Sequence, residues 1–145
     1  MEKILIKRSK EARKFDLPSP KKELDVGFDL CAVQDITIPV QNRLPIDVPT
    51  GVKIKLPKGT WALVINRSGI PRKLGLEIVP GIIDEGYTGE LFACCFNRTG
   101  EDILVKAGTR LAQFLVLPSC VPEVREVDQL PETTRGETGF GSTDT

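Results

Sequence analysis

Glycine and proline interrupt this chain too often for long helices to form. Thirteen glycines and eleven prolines fall among 145 residues, and the runs between them carry strand-like alternation or strong β-propensity. VKIKL (Val52–Leu56) alternates in steps of two, and LPKGT reads as a turn into WALVI. ELFACCF (Glu90–Phe96) leads through the turn-like NRTGED to ILVKAG. RLAQFLVLP (Arg110–Pro118) is apolar almost throughout, which predicts a strand buried on both faces. DITIPV carries Pro39, suited to an edge or a strand end because proline cannot donate to the ladder. Strands this short and this closely spaced predict an all-β sandwich or barrel. One helix of about a turn is predicted in SGIPRKLGL, with Pro71 in its first turn and Gly75 at its stop. SKEARKF (Ser9–Phe15) is predicted to be a solvated loop.

The length suits one domain, with a body over residues 1–130 and a flexible tail over 131–145. Lys and Arg equal Asp and Glu at 20 each, so no overall field draws the chain to nucleic acid or to a membrane. No apolar run approaches the roughly 18 residues of a membrane span. The start, MEKILIKRSKEARKF, has too short an apolar run for a signal peptide, and an intracellular, cytoplasmic protein is the expectation. There is no histidine, which removes His bases, Ser-His-Asp triads and His metal ligands. Cys31, Cys94, Cys95 and Cys120 form no CxxC pair, so they read as reduced core residues and not as a zinc site. Any chemistry must run on carboxylates, arginines, hydroxyls and backbone.

Five stretches have compositions that strand packing does not explain. RGETGFGSTDT (Arg135–Thr145) offers glycine-borne N–H groups, the Arg135 fork, the hydroxyls of Ser142 and Thr143, and the flat ring of Phe140. It reads as a frayed end or as a lid over a phosphorylated, ring-bearing ligand. In NRSG, Arg67, Ser68 and the N–H groups opening the short helix suit a phosphate, or equally an N-cap beside a surface arginine. GIIDEGYTGE (Gly81–Glu90) sets Asp84 and Tyr87 about a glycine-bearing turn, as a hairpin turn or as a base with a ring beside it. VGFDL places Asp29 between Phe28 and Leu30, at a strand end or near water and metal. AGTRLAQF buries Gln113 and Arg110 in an apolar run, where both need partners and Arg110 calls for a salt bridge.

Taken in order, VGFDL, NRSG, GIIDEGYTGE, AGTRLAQ and RGETGFGST resemble the five motifs of the trimeric dUTPase family, from residue 26 to the C-terminus. The wording GIIDEGYTGE is close to lentiviral members. The resemblance implies a β-rich jelly roll with one short helix, assembled as a homotrimer with swapped C-terminal tails. It implies a dUTP diphosphatase that keeps uracil out of DNA and supplies dUMP for dTMP synthesis. Asp84 would then activate water to attack the α-phosphorus of dUTP. Asp29 would support the site without touching substrate. Arg67, Ser68, Gly69 and Gln113 would hold the phosphates. Arg135, Phe140, Gly141, Ser142 and Thr143 would close over the nucleotide from another chain, with Phe140 on the uracil. Tyr87 would exclude a 2′-hydroxyl. The backbone of the Leu76–Gly89 hairpin, including Ile78, Gly81 and Ile83, would read the base. Mg²⁺ would be held through substrate phosphates and water, with no direct protein ligand.

Three positions depart from the family pattern. Ile78 stands where many members carry an asparagine, Thr88 where an arginine often follows the tyrosine, and Asp144 where a glycine often ends the tail. Two rival readings share the fold. A dCTP deaminase or bifunctional deaminase–dUTPase would need a carboxylate at the base, with Glu85 and Glu90 the candidates. A non-enzymatic regulator would use the same body to bind a protein.

Overall fold

The computed structural model describes residues 3–139. Within them lie β1 (Leu5–Arg8), β2 (Phe28–Cys31), β3 (Ile36–Ile38), β4 (Ile46–Lys55) and β5 (Thr60–Asn66). Helix α1 (Gly69–Leu74) follows, then β6 (Leu76–Ile78), β7 (Gly81–Ile83), β8 (Glu90–Asn97), β9 (Ile103–Val105) and β10 (Arg110–Pro118). The strands pair antiparallel in two four-stranded sheets, ordered β1-β4-β8-β6 and β2-β10-β5-β7, with β3-β9 as a separate ribbon. This is the expected all-β, jelly-roll-like sandwich with one short helix. Gly75 ends α1 with a left-handed φ of 64°, as its place after the helical run predicted.

Alternation along each strand builds the core. Val52, Ile54 and Leu56 turn inward from β4 and its end while Lys53 and Lys55 face out, and Leu91, Ala93 and Cys95 do the same on β8. They meet Leu30, Ala62, Val64, Ala112 and Phe114 from the second sheet. Phe114 is fully enclosed and stacks on Phe28 at 4.8 Å. A bulge bends β4 between Pro49 and Val52: Gly51 takes φ 63° and donates its N–H to Glu90 Oε1 at 2.8 Å.

Four expectations are corrected. On β10 full burial is confined to Leu111, Ala112 and Phe114; Leu115 and Leu117 on the outer face are half-buried. The Leu76–Gly89 segment is not a simple hairpin, because β6 pairs with β8 and β7 with β5, in opposite sheets. The crossing falls at Val79–Pro80, where proline's missing N–H ends the pairing that Val79 closes onto the Cys94 carbonyl at 2.8 Å. Ser9–Phe15 holds a 3₁₀ turn, Ala12–Lys14, with Ala12 buried and its N–H capped by Ser9 Oγ at 3.1 Å. Cys120 is exposed, not in the core. Beyond Pro118 no strand or helix forms among the described residues, and 119–138 lie exposed.

All four cysteines are free thiols. Burial pushes the Cys94 thiol up to about 11, aided by the neighbouring Asp47, and Cys95 up to about 12, so both stay protonated near neutrality. Iodoacetamide at pH 8 should therefore alkylate Cys120 in the native protein and spare Cys94 and Cys95 until denaturant is added. Peptide mass spectrometry reads the result, and native labelling of Cys95 as fast as Cys120 would contradict this placement.

Candidate functional site

Strand register decides which side chains share the outer face of the sheet β2-β10-β5-β7. Gln113 stands opposite Asp29 on one side and Ile65 on the other. Because Leu30, Val64, Ala112 and Phe114 point into the core, their neighbours Asp29, Ile65 and Gln113 face outward. Arg67 and Ser68 follow at the end of β5, where the chain turns into α1. Residues far apart in sequence thus converge on one cavity of about 500 Å³, lined by Asp29, Arg67, Ser68 and Gln113 and also by Lys21, Lys22 and Arg110.

Asp29 organises this cavity. Its side chain is only 12 % exposed, and Arg67 Nε meets Oδ1 at 2.8 Å while Arg110 NH1 lies 3.7 Å from Oδ2. Arg110 reaches Asp16 as well, at 3.5 Å, and so finds the ion pairing its apolar surroundings called for. Asp16 also holds Lys21 at 3.0 Å, whereas Lys22 has no carboxylate partner among the described residues. Since Asp29 engages Arg67 through Nε, the guanidinium's terminal N–H groups are left for another acceptor. Gln113 Nε2 donates to the Asn66 carbonyl at 3.0 Å, which answers the need of a half-buried amide. A Cβ on Gly27 would overlap Gln113 Oε1, so glycine there lets the strands close. Ser68 occupies the N-cap position of α1 but its hydroxyl makes no capping bond. Two guanidiniums, two ammoniums, an amide and a hydroxyl outnumber the carboxylates of Asp29 and Asp25 in this cavity, a balance that suits a multiply charged oxyanion.

Asp84 and Tyr87 lie elsewhere. Ala62 pairs with Ile83, so Asp84 lies beside Trp61, at the opposite end of β5 from Arg67. At about 3.4 Å per residue the two ends stand on the order of 20 Å apart. Asp84 is exposed, on a turn closed by the Tyr87 N–H to the Asp84 carbonyl at 3.0 Å. Tyr87 is fixed by its hydroxyl, which donates to the Glu90 carbonyl at 2.9 Å, and by Gly89, where a Cβ would overlap the phenol. A Cβ on Gly81 would meet nothing within 4 Å, and β7 is the edge strand of its sheet. Ile83 is half-buried. Ile78 is 1 % exposed, and its N–H goes to Asn66 Oδ1 at 2.7 Å. Gly69 opens α1. Arg135 is exposed, its Nε donating to the Thr138 carbonyl at 2.9 Å. Phe140, Gly141, Ser142 and Thr143 lie outside the described residues.

Sequence reasoning missed Asn66, Lys21 and Lys22. Asn66 opened the NRSG stretch, yet its role is visible only once β6 and β10 flank it. The lysines belong to a loop with no periodic signal. For a divalent cation, no three His, Cys, Asp or Glu side chains cluster among the described residues. The cavity's donors suit phosphate oxygens, Asp29 is already paired with arginine and Asp25 accepts the Lys22 N–H, so the chemistry fits a cation that arrives on a polyphosphate.

Comparison with known proteins agrees with these features. The dUTPase family model matches residues 13–144. The deoxyuridine 5′-triphosphate nucleotidohydrolase of Clostridium novyi (strain NT) is 42 % identical over 97 % of this chain and 98 % of its own. That of Paramecium bursaria Chlorella virus 1 is 37 % identical over 99 % of each. The dUTPase of Staphylococcus bacteriophage 80alpha, solved with dUPNHPP, is 25 % identical, with a TM-score of 0.85 over 100 % of both chains. A dUTPase of phage phi11 of S. aureus, whose structure details coordination of a structural Mg(II) ion, is 22 % identical and shares the fold at a TM-score of 0.80 over 90 % of this chain and 100 % of its own.

The Asp29 pairing generates a stability prediction. Asp29→Ala leaves two guanidiniums facing each other without their carboxylate and should lower stability by about 1–3 kcal/mol, reduced from a fully buried pair by Arg67's exposure. The loss should appear as a lower urea midpoint. Combined with Arg67→Met, the cost should be less than the sum of the single costs; strict additivity would show that the pair is not coupled.

Proposed function

We propose how this chain, which belongs to the dUTPase family and hydrolyses dUTP to dUMP and pyrophosphate, divides that reaction among its residues. The observation that carries the reading is the separation of Asp84 from Arg67 along one strand. A base some 20 Å from the phosphate cradle cannot serve the same nucleotide within one chain. The site is therefore composite, with Asp84 and Tyr87 from one copy and the Arg67 cavity from another. The face between them supports contact between copies, since Leu63, Leu115 and Leu117 are half-buried and Ile82 is 70 % exposed. The departing segment supports exchange of tails, with Val121, Val124 and Leu130 more than 80 % exposed. The assembly is a homotrimer, body 1–130 carrying a lid at 131–145.

Arg67, Ser68, Gly69 and Gln113 bind the phosphate chain. Asp29 acts through Arg67, holding Nε so that the terminal N–H groups face the phosphates. Asp84 takes a proton from water as its oxygen bonds the α-phosphorus; the bond to the bridging oxygen breaks and pyrophosphate leaves. Mg²⁺ carried by the triphosphate, and held near the cavity through water, would neutralise its charge. Uracil lies against the free edge of β7, where unpaired backbone groups about Gly81 and Ile83 read it beside Ile78. With the Ile78 N–H given to Asn66, that position contributes no free backbone donor. Tyr87, fixed by Glu90 and Gly89, blocks a 2′-hydroxyl. Arg135, Phe140, Gly141, Ser142 and Thr143 of a further copy close the site, with Phe140 on the base.

The two acids that the deaminase reading needs already hold backbone groups. Glu85 Oε2 accepts the Gly59 N–H at 2.8 Å, and Glu90 Oε1 accepts that of Gly51 at 2.8 Å.

Asp84→Asn should bind dUTP while turnover falls about 10²–10⁴-fold, measured as pyrophosphate release. Wild-type turnover would remove Asp84 from the role of base. Asp84→Asn chains mixed with chains truncated before Arg135, then unfolded and reassembled together, should regain activity that neither has alone. A single-chain particle in sedimentation, at concentrations where the enzyme works, would end the composite site.

A further inference from the structure

A general base works only when held within hydrogen-bond reach of its proton, yet Asp84 lies on an exposed turn beyond an edge strand. Within the turn, the Tyr87 N–H to Asp84 carbonyl bond fixes the loop's shape but not its place. The neighbouring Glu85 supplies two bonds to other parts of the chain. Its carboxylate Oε2 accepts the Gly59 N–H at 2.8 Å, and its carbonyl accepts Lys55 Nζ at 2.9 Å. Both partners are themselves fixed. Lys55 ends β4 in register with Leu5 of β1. Gly59 adopts φ 73°, a conformation that favours glycine, and its carbonyl accepts the Ser119 N–H at 2.8 Å. Trp61 Nε1 donates to the Pro118 carbonyl at 3.1 Å, tying β10's end to the same corner. The turn bearing Asp84 is thus moored at one residue, through its carboxylate and its carbonyl, to the junction of the two sheets.

We propose that Glu85 is a positioning residue for Asp84, holding the base in line for attack without touching substrate. This rests on Asp84 being the base. A carboxylate is well chosen for the task, since a charged acceptor makes a stronger bond to a backbone N–H than a neutral one. Glu85 is half-buried, and its bond to Gly59 spans 26 residues, so it is no local turn contact.

The test compares full-length Glu85→Ala, Glu85→Gln, Lys55→Met and Asp84→Asn by steady-state hydrolysis of dUTP with Mg²⁺. Misplacing a reacting group by about 1 Å costs up to 10²-fold, so Glu85→Ala should lose about 10–100-fold in kcat. Its KM should stay within about threefold, because ground-state binding is untouched. Glu85→Gln keeps an oxygen for the Gly59 N–H and should recover most of the loss. Lys55→Met, which cuts the second mooring, should lose several-fold in kcat. Glu85→Ala with wild-type kcat, or with a raised KM alone, would overturn the proposal. So would a Glu85→Gln variant as slow as Glu85→Ala. Should Glu85→Ala fail to fold, equal and undiminished turnover in Glu85→Gln and Lys55→Met would overturn it instead. An active Asp84→Asn would mark failure of the base assignment, whereas an inactive Asp84→Asn beside a fully active Glu85→Ala would mark failure of the positioning role alone.

Discussion

A carboxylate that is almost enclosed must be answered by cations, and Asp29 sets the terms for everything around it. Removing an ion from water costs several kcal/mol unless close opposite charge replaces the lost solvation. Arg67 and Arg110 supply that charge from the ends of two different strands. The pairing therefore brings together β2, β10 and the exit of β5. Arg110 then draws in Asp16, and Asp16 draws in Lys21, so the loop that walls the cavity is hung from the same carboxylate through a chain of ion pairs. The surplus of positive charge left over is what a polyphosphate would neutralise. On this reading the substrate completes an electrostatic arrangement that the free chain leaves unbalanced.

Asn66 performs a second, neutral version of the same linkage. Its carbonyl takes the Gln113 amide and its Oδ1 takes the Ile78 N–H, so one residue spans β10 and β6. β6 belongs to the sheet opposite β5 and β10, which makes Asn66 a tie between the two layers at the rim of the cavity. The crossing at Val79–Pro80 follows directly, since β7 must then return to the sheet of β5 as its edge. An edge strand next to a turn is the part of a sandwich with the most unpaired backbone, and the proposed base-reading surface lies there for that reason.

Much of this was legible in the sequence because it is written in local signals. Pro71 and Gly75 bounded α1, Val52–Leu56 alternated, and Pro39 marked the end of an edge strand. The ordered motifs named the chemistry. What stayed hidden depends on register and on contacts across sheets. RLAQFLVLP looked buried on both faces because Leu115 and Leu117 on the half-exposed face are as apolar as the residues that meet the core. The Leu76–Gly89 stretch looked like a hairpin because nothing local reports that two adjacent strands pair with different sheets. Glu85 stood out in the sequence only as an acid for the deaminase reading, since its partner Gly59 is remote and carries no side chain to advertise the contact.

The path of the C-terminal segment supports the proposed shared site. β10 runs through the sheet from Arg110, beside the Asp29 cavity, to Pro118, which stands opposite Thr60 at the far end. The chain therefore leaves the body at the Asp84 end, moored there by Ser119 on Gly59. It could bend back, since sixteen extended residues reach about 50 Å, but the return would lie across its own apolar face without strand pairing. Val121, Val124 and Leu130 make no such contact in the single chain and remain almost fully exposed. Large apolar side chains left in water on an extended segment lose the burial that would offset their ordering, roughly 1.5–3 kcal/mol each. In the proposed assembly a neighbouring copy would supply a surface for them and a cavity for the segment beyond. The ending of β10 at Pro118 thus favours a tail that closes a different chain's site over one that closes its own.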